Sequence, residues 1–73
     1  MDVQYGKIRI YATAGTQLTI TSGLGSTQTV TVPSGATFID KILAGLEEYT
    51  ITDGTITENV LLSINAFEEV TIS

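Results

Sequence analysis

The chain has 73 residues, no cysteine, no histidine and a formal net charge of −5. These absences exclude disulfides, Ser-His-Asp and Cys-His catalytic groups and the ordinary zinc sites. Three cations alone, Lys7, Arg9 and Lys41, argue against nucleic acid or an anionic membrane surface as a partner.

The length allows one domain, which we place at residues 1–73. No apolar run approaches the roughly 20 residues that span a bilayer, and the first residues lack the features of a signal peptide. We therefore expect a soluble, unprocessed chain, either a complete small protein or a module of a longer one. The nine isoleucines, five valines and thirteen threonines favour β-strands.

Alternation of apolar and polar residues with a period of two predicts three strands in the first half of the chain, at 5–12, 17–21 and 27–32. Glycine-containing turns separate them, and the loop 22–26 contains two glycines that suit a flexible hairpin. The positions expected to face inward are Ile8, Ile10, Ala12, Leu18, Ile20, Val30 and Val32.

The stretch 36–46 allows two interpretations. Its apolar residues recur at the spacing of one helical face, which predicts a short helical turn near 38–44. The alternative, which the surrounding β pattern favours, is a strand at 37–39 followed by a tight crossing at 43–45.

Strands follow at 48–52 and 55–64, joined by a two-residue hairpin turn at Asp53 and Gly54. Residues 65–67 read as a turn before a last strand that contains Val70 and Ile72. The inward positions expected here are Tyr49, Ile51, Ile56, Val60, Leu62 and Ile64. About seven short antiparallel strands predict an all-β sandwich.

Candidate chemistry is sparse. The pairs Glu47-Glu48 and Glu68-Glu69 are adjacent, so on a strand their side chains point to opposite faces and do not converge on a substrate. We interpret them as solvated strand ends. No catalytic, cofactor-binding or metal-binding residue is predicted, and we do not expect an enzyme.

One surface stripe stands out. Tyr5, Lys7, Arg9 and Tyr11 alternate along the first strand and line one outward face. Tyrosine and arginine are enriched in the residues that dominate protein contacts, so the stripe is a candidate contact surface. The alternative is that Lys7 and Arg9 protect an edge strand from aggregation, with Glu68 and Glu69 as cross-strand partners.

Three short motifs carry a resemblance: GTQLTIT at 15–21, SGATF at 34–38 and AGLEEYTIT at 44–52. Their order resembles that of prealbumin-like modules, which include collagen-adhesin B-type repeats and Ig-like modules of phage virions, although extra residues separate the glycine and tyrosine of the last motif. Some adhesin repeats carry a Lys-to-Asn cross-link. Lys7 and Asn65 are the corresponding candidates, but both are expected to face outward, so we do not transfer the cross-link.

The sequence thus predicts a non-catalytic structural or assembly module, of a phage virion or a bacterial surface protein, that contacts a protein partner or another copy of itself. A virion or extracellular location fits this hypothesis. The alternative is a small carbohydrate-binding module in which exposed Tyr5 and Tyr11 stack on sugar rings.

Overall fold

A computed structural model describes residues 4–72, which fold as an all-β sandwich of two sheets. Within these residues there is no helix, and so none long enough to cross a membrane. The strands are β1 (Tyr5–Ala12), β2 (Gln17–Ser22), β3 (Thr27–Thr31), β4 (Phe38–Ala44), β5 (Glu47–Thr52), β6 (Thr57–Leu62) and β7 (Phe67–Ile72).

One sheet has three strands in the order β4-β1-β7, and the other has four in the order β3-β2-β5-β6. The first and last strands, β1 and β7, pair in parallel, whereas the other neighbouring strands pair antiparallel. This arrangement places β1 at the centre of the three-stranded sheet.

The core lies between the sheets and comes from the inward positions of the alternating pattern. Ile8, Ile10, Leu18, Ile20 and Ile51 are fully or almost fully buried. The inward positions predicted from the sequence are buried or half-buried throughout. The sandwich interpretation is therefore confirmed.

The stretch 36–46 contains the strand β4, so the alternative of a helical turn near 38–44 is wrong. β4 also runs further than the expected 37–39, and the chain leaves it at Gly45 and Leu46, where Leu46 has a φ of 63°. The helical spacing arose because this strand is apolar on both faces. Ile39 and Leu43 face the core, while Phe38 and Ile42 face outward.

The β5–β6 hairpin has a four-residue loop, 53–56, rather than the two-residue turn predicted at Asp53 and Gly54. Oδ1 of Asp53 accepts hydrogen bonds from the amides of Thr55 at 2.8 Å and Ile56 at 2.7 Å. These bonds favour the charged carboxylate and lower the pKa of Asp53. The side chain closes the loop as an Asx turn, while Gly54 supplies the positive φ of 98°.

Each edge strand has a polar residue at an inward position. Lys41 of β4 and Glu68 of β7 flank buried Ile8, and Gln28 of β3 and Glu58 of β6 flank the pair Ile20 and Ile51. Inward-pointing charges on edge strands discourage a second sheet from pairing with the open edge. The free edges of both sheets therefore carry this protection.

Candidate functional site

The predicted stripe lies along the middle of the outer face of the three-stranded sheet. Because β1 is a central strand, the alternative that Lys7 and Arg9 protect an edge is wrong. Of the two expected acidic partners, Glu69 shares this outer face, whereas Glu68 is paired with inward-facing Ile8.

The two neighbouring strands add apolar side chains to the stripe. From β4, Ile42 lies opposite Lys7 and Phe38 opposite Tyr11. From β7, Phe67 lies beside Lys7. We call the resulting surface the aromatic face; it consists of Tyr5, Lys7, Arg9, Tyr11, Phe38, Asp40, Ile42, Phe67 and Glu69.

Arg9 organises the centre of the aromatic face. Its guanidinium donates to both carboxylate oxygens of Asp40, from Nε at 2.8 Å and from Nη2 at 3.1 Å. It also lies 4.2 Å from the ring centre of Phe38 and 5.3 Å from that of Phe67. The ion pair lowers the pKa of Asp40 and raises that of Arg9, so both charges are held at neutral pH.

Tyr11 is fixed by a second polar contact. Its hydroxyl donates to Oε2 of Glu69 at 2.6 Å, and this hydrogen bond to a carboxylate raises the pKa of Tyr11. Its ring lies 5.7 Å from that of Phe38 in a tilted arrangement. The side chain is therefore held in place from two neighbouring strands.

A groove of about 460 Å³ opens at one end of the aromatic face. It is lined by Tyr5, Gly6, Lys7, Ile42, Asn65, Ala66 and Phe67. Tyr5 is 50% exposed, Ile42 64% and Phe67 51%. Lys7 lies 4.0 Å from Oδ2 of Asp40, an oxygen that Arg9 already occupies, so the groove combines exposed apolar walls with a cation that has a weak intramolecular partner.

Sequence reasoning missed Phe38, Ile42 and Phe67. The first two lie in the stretch that allows a helical turn. The turn predicted at 65–67 is wrong for Phe67, which is the first residue of β7. Phe67 and Glu69 alternate on that strand, which was the available signal. Their proximity to β1 depends on strand pairing, which alternation does not specify.

The other sheet presents a polar outer face with threonines on all four strands. Several of their hydroxyls bond to one another or to neighbours. Thr57 donates to Thr52 at 3.1 Å, and Thr50 donates to Asn59 at 2.9 Å. These cross-strand bonds are a structural use of threonine.

A second pocket lies at an end of the sandwich, beside the loop 22–26, and includes Glu47 and Tyr49 in its lining. Among the described residues, Oε1 of Glu47 is buried without a hydrogen-bond partner. The expectation of a solvated strand end therefore holds for exposed Glu48 but is wrong for half-buried Glu47.

No protein-family model, curated protein or solved structure matches this chain.

Proposed function

We propose that the protein is a non-catalytic structural or assembly module that contacts a protein partner through the aromatic face. The observation that supports this proposal is the concentration of exposed apolar side chains on one sheet face. Tyr5, Phe38, Ile42 and Phe67 all lie there, out of seven large apolar side chains exposed in residues 4–72.

The polar groups of this surface also suit a contact. Arg9 and Asp40 satisfy each other, as do the hydroxyl of Tyr11 and Glu69. Burying polar groups in a contact costs less free energy when they keep their hydrogen bonds than when they are unpaired. The two cations and two carboxylates of the aromatic face sum to zero, so a partner meets little net charge there.

The virion or bacterial surface setting remains part of the proposal and rests on the resemblance of the three short motifs to prealbumin-like modules. The carbohydrate alternative uses Tyr5 and Tyr11 as stacking platforms. Tyr11 is half-buried, bonded to Glu69 and packed near Phe38, which counts against its stacking on a sugar. Tyr5 remains exposed for either function.

A site-specific photo-crosslinker tests the proposal. Placed at Ile42 or Phe67 and mixed with source-cell extract, it should give one discrete adduct with a protein. That protein is either a different protein or another copy of the chain. Unlabelled wild-type protein should compete for that adduct, and Phe67→Glu protein should compete at least about tenfold less well. The matched control is Ala14, an exposed residue of the turn between β1 and β2.

Equal adducts from Ala14, or none from either test position, would refute the proposed contact. A glycan array provides the second arm. Binding to a defined glycan that Tyr5→Ala abolishes, with no protein adduct, would favour the carbohydrate alternative.

A further inference from the structure

We propose that the groove receives Leu61 of a second copy of the chain, with Glu48 of that copy facing Lys7, so that copies associate head to tail. This inference rests on the proposed protein-contact function and names the partner. The complementary element lies on the outer face of the four-stranded sheet, where Leu61 of β6 is paired directly with Glu48 of β5.

Leu61 is the apolar feature of that outer face. It is 65% exposed although both of its sequence neighbours, Val60 and Leu62, are buried. Leu46, in the turn that leads into β5, is also exposed. It lies near Leu61, because its amide donates a hydrogen bond to the carbonyl of Leu62. A projecting leucine beside a carboxylate is the chemical complement of a groove with apolar walls and a cation.

Charge favours this pairing. The aromatic face has no net charge, so the −5 of the chain is carried by its other residues. A contact between the groove and Glu48 gives Lys7 a carboxylate that it does not share with Arg9. Contact between two acidic surfaces would instead repel.

The geometry fixes the type of association. Two identical grooves placed face to face would bring Lys7 of each copy together, and polar residues on the edge strands oppose pairing of sheet edges between copies. The groove and Leu61 lie on outer faces that point away from each other, so one neighbour cannot engage both. The contact is therefore heterologous, and each added copy leaves one groove and one Leu61 free.

Single variants test the two halves of the contact by sedimentation velocity and light scattering across a concentration series. Wild-type mass should rise with concentration. Leu61→Glu and Ile42→Glu should each weaken association at least about tenfold, because both place a charge in the apolar contact. Ala14→Glu is the control, at an exposed residue of the turn between β1 and β2, and should behave as wild type.

Mixing provides the decisive test. Leu61→Glu protein retains an intact groove and Ile42→Glu protein retains an intact Leu61, so an equimolar mixture should form a one-to-one dimer and nothing larger. Lys7→Glu should also weaken association, and adding Glu48→Lys to it should restore part of the loss. Circular dichroism checks that each variant folds, and Phe67→Glu replaces Ile42→Glu if that variant does not.

A wild-type protein that stays monomeric, a mixture that stays monomeric, or an equal effect of Ala14→Glu would overturn head-to-tail association. The two proposals fail differently. If wild type is monomeric while the crosslinker at Phe67 captures a different protein, the contact function stands and this inference falls. If the crosslinker captures no protein at all, the contact function fails.

Discussion

At the scale of single residues, Tyr49 shows how a polar group is accommodated in this thin core. Its ring is buried, and its hydroxyl donates to the carbonyl of Ala44 at 2.6 Å, across the turn between the two sheets. Burial raises the pKa of Tyr49, and the nearby charge of Glu47 adds to the effect. The neutral hydroxyl is the form that the folded state requires.

Tyr49→Phe tests this hydrogen bond. We expect it to lower the free energy of unfolding by about 1–2 kcal/mol at neutral pH, because the carbonyl of Ala44 loses its partner. Urea denaturation followed by circular dichroism measures the change. Tyr5→Phe, at an exposed ring, is the matched control and should leave stability unchanged. Equal stability of Tyr49→Phe and wild type would show that water replaces the hydroxyl without cost.

The same variant tests the alkaline behaviour. A pKa raised on folding gives stability that is complete below the unfolded tyrosine value of about 10 and is lost as pH rises through the folded value. Wild type should therefore weaken with increasing pH above about 10, and Tyr49→Phe should weaken less steeply. The slope that remains includes Tyr11, whose pKa is raised by its bond to Glu69.

At the scale of strands, the polar residues at inward edge positions limit growth of the sheets. Glu58 illustrates the arrangement. It lies on the edge strand β6, faces inward opposite buried Ile51, and is itself exposed at the rim. An apolar residue at this position would extend the core surface to the open edge, where another chain could pair.

Glu58→Val should therefore aggregate faster than wild type on heating at equal protein concentration, as measured by light scattering and thioflavin binding. Glu58→Gln removes the same charge but keeps a polar side chain, so it should stay close to wild type. If both variants aggregate at the wild-type rate, Glu58 has no protective role. If both aggregate equally fast, net charge rather than inward polarity is responsible.

Strands with one polar face could be predicted from the sequence because their pattern has a single interpretation. β1 and β2 alternate clearly, and their bounds match to within one residue. The pattern of β4 has two interpretations. It is apolar on both faces, with Ile39 toward the core and Ile42 toward the groove, and such a strand imitates helical spacing.

The candidate site could also be predicted only in part. Alternation along β1 was enough to place Tyr5, Lys7, Arg9 and Tyr11 on one face. The residues that complete that face come from β4 and β7, which are distant in sequence, and their registers depend on tertiary pairing. Sequence reasoning therefore supplied the central strand of the aromatic face and missed its two sides.

At the scale of the whole molecule, the described residues form a body of 38 × 21 × 16 Å, which has room for a single core layer between the sheets. That layer connects the two sheets, because apolar residues from both pack in one cluster. Removing part of the layer should therefore weaken the whole fold rather than one sheet.

Two adjacent leucines test this cooperativity, because Leu62 is fully buried and Leu61 points outward. Leu62→Ala should cost about 2–5 kcal/mol through a lost side chain and a residual cavity, out of a total of roughly 4–11 kcal/mol for a chain of this length. Leu61→Ala should leave stability nearly unchanged at low protein concentration. In urea, far-ultraviolet dichroism and tyrosine fluorescence should give superimposable transitions for both variants. Separate transitions would mean that the two sheets unfold independently and that one shared core does not hold the molecule together.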